Sequence, residues 1–155
     1  MVDWTVENVP ISSHPRILEI GSGNGTLLFA LHEAGYAASH LSGIDYSPDA
    51  VKLACMVARS RYSEQITFHV CDFLSEHPPP PPASPPPSGQ LDADVQGSWD
   101  LLLDKGTYDA IALGEEDESG RSPVAVYPLR ASKLLREDGY FLIACKSQDN
   151  LVILQ

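Results

Sequence analysis

The chain has 155 residues, enough for one domain with a sizeable core, and 43% of them are apolar. No apolar run approaches the roughly 20 residues that cross a bilayer, and residues 1–5 lack the basic flank and apolar stretch of a signal peptide. With 21 acidic against 10 basic residues the net charge is −11, which argues against nucleic acid and suits either solubility or the steering of a basic macromolecule.

Taken in order, Val2, Val6 and Val9 share one face if residues 2–9 form a helix that Pro10 stops. A short buried strand, 17–20, then runs into alternate glycines, Gly21, Gly23 and Gly25. Leu27, Leu28, Leu31 and Ala34 recur at helical spacing and predict a helix over 26–36, ended near Gly35. A strand–glycine loop–helix unit brings bare backbone and a helix N-terminus close to a ligand. Thr26 stands where a dinucleotide fingerprint carries its third glycine, so an NAD reading is weakened. Glu19, ahead of the glycines, can face a cationic or amino-bearing ligand. A glycine-rich turn without a ligand is the plainer alternative.

A second strand over 39–44 ends on Asp45, and Ser47-Pro48-Asp49 then supplies a cap, a first-position proline and a first-turn acid. The helix that follows, to about 61, is expected to bury Val51, Leu53, Ala54, Val57 and Ala58. A third strand, 66–70, delivers Asp72 and Phe73 at its end. Eight of the 13 prolines lie between His77 and Gly89, predicting an extended, solvated and disordered insertion over about 77–97. A fourth strand covers 99–104, a polar loop 114–120, a helix 127–136 with Leu129, Leu134 and Leu135, and a fifth strand 139–145. Residues 151–154 could add one short strand. Strands alternating with helices predict a single α/β domain over 1–155, a mostly parallel, doubly wound sheet with its ligand outside the strands' carboxyl ends.

The cysteines, Cys55, Cys71 and Cys145, and the five histidines are scattered, so reduced thiols in a cytoplasmic protein and no metal site are expected. The strand ends carry the chemistry. Asp45 lies where a second-strand carboxylate accepts both ribose hydroxyls, Asp72 can accept from an exocyclic adenine amine, and Phe73 can pack on the base. Each has a plain structural alternative, in a turn or in the core. Together they describe a pocket for an adenine nucleoside with a charged tail.

The run Glu19-Ile-Gly-Ser-Gly-Asn-Gly25, with Asp45 and Asp72 in order, resembles the class I, seven-strand S-adenosylmethionine-dependent methyltransferases over about residues 16–149. Within that superfamily, Gly43-Ile-Asp-Tyr-Ser-Pro-Asp-Ala50 and Asp104-Lys-Gly-Thr-Tyr-Asp-Ala110 are similar to motifs of the protein-lysine methyltransferases acting on translation elongation factor 1-alpha. The resemblance implies a Rossmann-like fold with strand order 3-2-1-4-5. It also implies Glu19 and the backbone of Gly21, Gly23 and Gly25 around the methionine portion of S-adenosylmethionine, Asp45 at the ribose, Asp72 with Phe73 at the adenine, and Tyr46 among the cofactor-binding residues. Asp104 would lie beside the sulfonium at the entrance for the acceptor lysine, with Lys105 and Thr107 shaping the loop and Tyr108 lining the acceptor channel. Asp104 or Asp109 would orient the acceptor ammonium and receive its proton through water; alternatively Asp109 caps the helix that begins near Tyr108.

The implied partner is elongation factor 1-alpha, with no nucleic acid or membrane. A methyltransferase for another protein or a small molecule, and a catalytically silent cofactor-binding domain, are the competing readings. The resemblance also implies a longer segment before the first strand and a complete closing strand pair after the fifth. Neither fits in the residues given, so a shortened chain of low turnover is expected.

Overall fold

A computed structural model describes residues 1–82, 98–114, 122–145 and 150–154. The proline-rich insertion lies outside the described residues from 83 to 97, and the polar loop from 115 onward; residues 77–81 carry neither helix nor strand.

The described elements are α1 (Val2–Asn8), β1 (Ile17–Ile20), α2 (Thr26–Glu33), β2 (Leu41–Asp45), α3 (Pro48–Ser60), β3 (Thr67–Val70), β4 (Trp99–Lys105), α4 (Thr107–Ala112), α5 (Tyr127–Leu134), β5 (Leu135–Cys145) and β6 (Asn150–Leu154). The sheet order is β3-β2-β1-β4-β5-β6, as expected for the first five strands. Those five are parallel, and β6 pairs antiparallel with β5 from Phe141↔Leu154 to Cys145↔Asn150. The central strands are buried along their length, which explains why Ile17–Ile20 and Trp99–Leu103 read as nearly continuous apolar runs.

Each face of the sheet has its own core. Ile17, Leu101, Leu103 and Leu142 pack with Leu28 and Leu31 of α2 and Ala54 and Ala58 of α3. Leu18, Ile20, Leu102 and Phe141 pack on the other face with Tyr127, Ala131 and Leu134 of α5. Full burial of each such aliphatic side chain contributes roughly 1.5–3 kcal/mol.

Several expected faces are corrected. On α1 Val6 is 43% exposed, whereas Thr5 is fully buried. The Thr5 hydroxyl donates to Met1 O at 3.0 Å, and the Tyr36 hydroxyl donates to Thr5 O and Val9 O at 3.0 and 2.7 Å. The buried stripe therefore runs through Val9 and a satisfied threonine, with Val2 packed beside them and Val6 left outside. Leu53 on α3 and Leu129 on α5 are 50% and 60% exposed, each lying outside the stripe that its own helix buries. Residues 38–40 form a 3-10 turn, so β2 starts at Leu41. Arg136 lies in β5, not in a helix. There β4 advances from Trp99 to Leu101 while β5 advances from Leu135 to Tyr140, and Asp138 takes up the extra chain at φ 65°. Arg136 then reaches back to Asp100, Nη1 to Oδ1 at 2.6 Å.

Cys55 and Cys71 are free thiols. Among the described residues no helix is long and apolar enough to cross a membrane.

Candidate functional site

The glycine loop is fixed by its neighbours before any ligand is considered. Ser22 N donates to Ile44 O at 2.9 Å, Gly23 N to Asp45 Oδ2 at 2.9 Å, and Gly25 N to Ser22 O at 2.8 Å. Gly21 has φ 69°, and a Cβ added there would meet Thr107 Oγ1 at 1.8 Å. The first glycine is thus required by the close approach of α4, whose Thr107 hydroxyl donates to Ile20 O at 3.0 Å. At Gly23, with φ 54°, an added Cβ would meet nothing within 4 Å. That glycine faces open space.

Around the loop stand the carboxylates delivered by β1, β2 and β4. Glu19, Asp45 and Asp104 are 3%, 8% and 0% exposed. Glu19 Oε2 is buried with no hydrogen-bond partner among the described residues, and burial raises its carboxyl to about 8, partly offset by the cation of Lys105, with Asp104 and Asp45 raising it further. Asp45 is better satisfied, because Oδ1 also accepts from Ser47 N at 2.9 Å.

Asp104 is the most enclosed. Its Oδ1 accepts from Thr107 N at 2.8 Å, and its Oδ2 from Tyr108 N at 2.9 Å and from the Tyr127 hydroxyl. Burial raises its carboxyl above the ordinary range, and these hydrogen bonds oppose the shift. The Tyr127 hydroxyl is itself pushed up by burial and by the Asp104 charge. Asp104 therefore caps α4, the role that the sequence offered to Asp109. Asp109 sits half-buried in the first turn of α4.

A cavity of about 490 Å³ opens at the carboxyl ends of the strands, between the glycine loop, the ends of β2 and β3, and α4. Gly21, Asp45, Tyr46, Asp72, Phe73 and Thr107 line it together with Ile20, Ile44 and Leu74. Tyr46 is 79% exposed at its rim. Asp72 is exposed, and its Oδ1 accepts from Leu74 N at 3.1 Å and its Oδ2 from Ser75 Oγ at 2.6 Å. Phe73 is buried edge-on against Tyr127, ring centroids 5.0 Å apart, while Tyr108 meets the same tyrosine at 5.7 Å. Gly21, Asp45, Tyr46, Asp72 and Phe73 thus share one cavity, whereas Glu19, Gly23, Gly25, Asp104, Tyr108 and Asp109 are not among its lining residues.

Sequence reasoning passed over Tyr127 and Arg130. Only the general demand that a buried tyrosine hydroxyl find a partner pointed to the first. Nothing local pointed to the second, which donates from Nε to Phe73 O and from Nη2 to Glu76 O.

A cavity of this size with apolar walls and the carboxylates of Asp45 and Asp72 suits a ligand that is flat and apolar at one end and offers hydrogen-bond donors at the other, and the unpartnered Glu19 oxygen lies next in the chain to its Ile20 wall. Strand order, glycine loop and cavity together define a Rossmann-like, ligand-binding α/β domain. The chain belongs to the methyltransferase domain family, whose model matches residues 11–152. It is 35% identical to "Protein-lysine N-methyltransferase EFM4" of Saccharomyces cerevisiae, over 98% of this chain and 62% of that protein. It is also 35% identical to "EEF1A lysine methyltransferase 2" of Danio rerio, over 92% of this chain and 52% of the relative. The chain thus spans little more than half the length of the curated relatives it matches. Among solved structures, the YcgJ protein of Bacillus subtilis superposes with a TM-score of 0.64 at 20% identity, over 92% of this chain and 48% of that one, a likeness of fold alone.

Proposed function

We propose that this protein is an S-adenosylmethionine-dependent protein-lysine N-methyltransferase acting on translation elongation factor 1-alpha in the cytoplasm. The observation that carries the reading is the 35% identity, across 98% of the chain, to a protein-lysine N-methyltransferase. The pocket supports the cofactor. Glu19 Oε2 is buried without a partner among the described residues, and on ionising its carboxylate would pair with an ammonium. The open space at Gly23 admits the ligand to bare backbone, and Phe73 with Ile44 and Leu74 offers apolar surface to a base. The residues present fit the group.

In this reading Glu19 and the backbone of Gly21, Gly23 and Gly25 hold the methionine portion, Asp45 and Tyr46 the ribose, and Asp72 with Phe73 the adenine. The cofactor supplies a methyl group already activated on a sulfonium, so the chain's task is alignment and exclusion of water. Asp104, Tyr108 and Asp109 form the catalytic group. Asp104, locked by its donors, fixes the first turn of α4, and its carboxyl would lie beside the sulfonium at the entrance for the acceptor lysine. Tyr108 and Asp109 follow it in that turn, and in this reading they would line the approach of the acceptor amine. A lysine attacks only as the neutral amine, a small fraction at pH 7 given its ordinary pKa of about 10.4, so burial must lower that value. Asp109 then receives the proton through water.

The test is transfer of radiolabelled methyl groups to purified elongation factor 1-alpha, with mass spectrometry of its lysines. Labelling of a lysine that is lost in Asp104→Ala and Asp45→Ala proteins is the expected result. Label appearing only in small molecules, or in other proteins of a lysate, would refute the substrate.

A further inference from the structure

Residues 72–76, of which Asp72, Phe73 and Leu74 line the cavity, belong to no helix or strand. It is wound on itself: Asp72 N donates to Glu76 Oε2 at 2.8 Å, Leu74 N to Asp72 Oδ1 at 3.1 Å, and Ser75 Oγ to Asp72 Oδ2 at 2.6 Å. Such local bonds set the loop's shape without setting its place on the domain. Its start is tied to β2, where Cys71 N donates to Asp45 O at 2.9 Å, and its body is held from α5. The Arg130 guanidinium donates from Nε to Phe73 O and from Nη2 to Glu76 O, and its Cζ lies 5.7 Å from the centroid of the Phe73 ring. The contact joins residues 57 positions apart. Arg130 does not line the cavity, whereas Cys71, Asp72, Phe73 and Leu74 do.

We propose that Arg130 is a positioning residue for base recognition, its forked guanidinium setting the 72–76 loop where Asp72 and Phe73 meet the cofactor's base. This rests on the cofactor site proposed above. The fork is the point. A planar guanidinium directs separate N–H groups at separate carbonyls while its face lies against a ring, whereas a lysine ammonium is a single point charge that cannot hold both carbonyls in that geometry. The base's exocyclic amine is read by Asp72, so a displaced loop loses the distinction between an amine and a carbonyl at that position. The sugar and amino-acid portions, held by β1, β2 and the glycine loop, do not depend on Arg130.

The test is calorimetric binding of S-adenosylhomocysteine and of S-inosylhomocysteine, in which the base amine is replaced by oxygen. Native protein, Arg130→Met and Arg130→Lys are compared, with a thermal melt for each. The native protein is expected to prefer the adenine compound. In Arg130→Met its affinity should fall about tenfold and the preference should collapse, with Arg130→Lys resembling Arg130→Met rather than the native protein. Loss of a charge-assisted bond alone accounts for the first effect. The collapse of preference is what a merely structural role would not produce. Folded variants that weaken both compounds equally and keep the native preference would overturn the proposal, as would failure of both variants to fold. A native protein that binds S-adenosylhomocysteine without preferring it overturns this inference and leaves the cofactor site standing. One that binds neither compound overturns the cofactor site, and this inference with it.

Discussion

Glu19 sets burial against charge. Its carboxyl is 3% exposed and raised to about 8 by desolvation, so at neutral pH it holds a proton that the unfolded chain has released. Folding therefore takes up a proton between about pH 4.5 and 8, and stability is fullest below the lower value and falls as pH rises towards the upper one. The slope cannot exceed about 1.4 kcal/mol per pH unit for one group. Glu19→Gln should flatten it, measured as urea midpoints across that range. A cationic ligand reverses the preference, since the ionised carboxylate is its partner. Binding of S-adenosylmethionine at pH 7 should thus release about one more proton from the native protein than from Glu19→Gln. Calorimetry in buffers of differing ionisation enthalpy reads this difference, which is free of the ligand's own amine. Equal release from both proteins would show that Glu19 does not meet the cation. Asp45 differs in already holding the backbone of Gly23 and Ser47. Asp45→Ala should weaken cofactor binding at least about tenfold and also cost about 1–3 kcal/mol of stability. A folded Asp45→Ala protein with native affinity would refute its ribose role.

Between elements, the decisive contact is that of the glycine loop with α4. Gly21→Ala must displace the Thr107 side chain, whose Oγ1 would stand 1.8 Å from the new Cβ, whereas Gly23→Ala meets no atom within 4 Å. Both positions have positive φ, which alone costs an alanine about 1–2 kcal/mol. Overpacking at Gly21 should add about 1–3 kcal/mol, and Thr107→Ala in the same chain should recover part of it. Equal unfolding midpoints for the two glycine variants would dismiss the contact. Much of this architecture was legible in the chain. The glycine spacing, the Ile17–Ile20 strand, the capped start at Ser47 and the carboxylates at strand ends are local patterns, read within a few positions. The misplaced residues, Val6, Leu53 and Leu129, lie at the margins of amphipathic stripes, where helical spacing alone does not say which apolar residue faces the sheet. Tyr127 and Arg130 were illegible for another reason. Their partners lie 23 and 57 positions away, and no local period carries such information.

For the whole molecule, the charge of −11 enters where a partner must arrive. The pocket contributes one buried carboxylate, Asp45, that bulk salt screens weakly, whereas surface acids act through water and are screened within a Debye length of about 8 Å at physiological ionic strength. A basic protein substrate is therefore steered at low salt and loses that advantage as salt rises, with association rates changing by about tenfold or more. On the proposed function, methylation of elongation factor 1-alpha should show a KM that climbs steeply between low and physiological salt, with kcat nearly constant because alignment within the site is unchanged. Cofactor affinity, measured in the same buffers, should change far less. The two responses separate steering from binding in one salt series. A KM that is flat in salt would mean that the acidic surface serves solubility alone. A kcat that falls as salt rises would place the salt effect inside the site rather than on the approach to it.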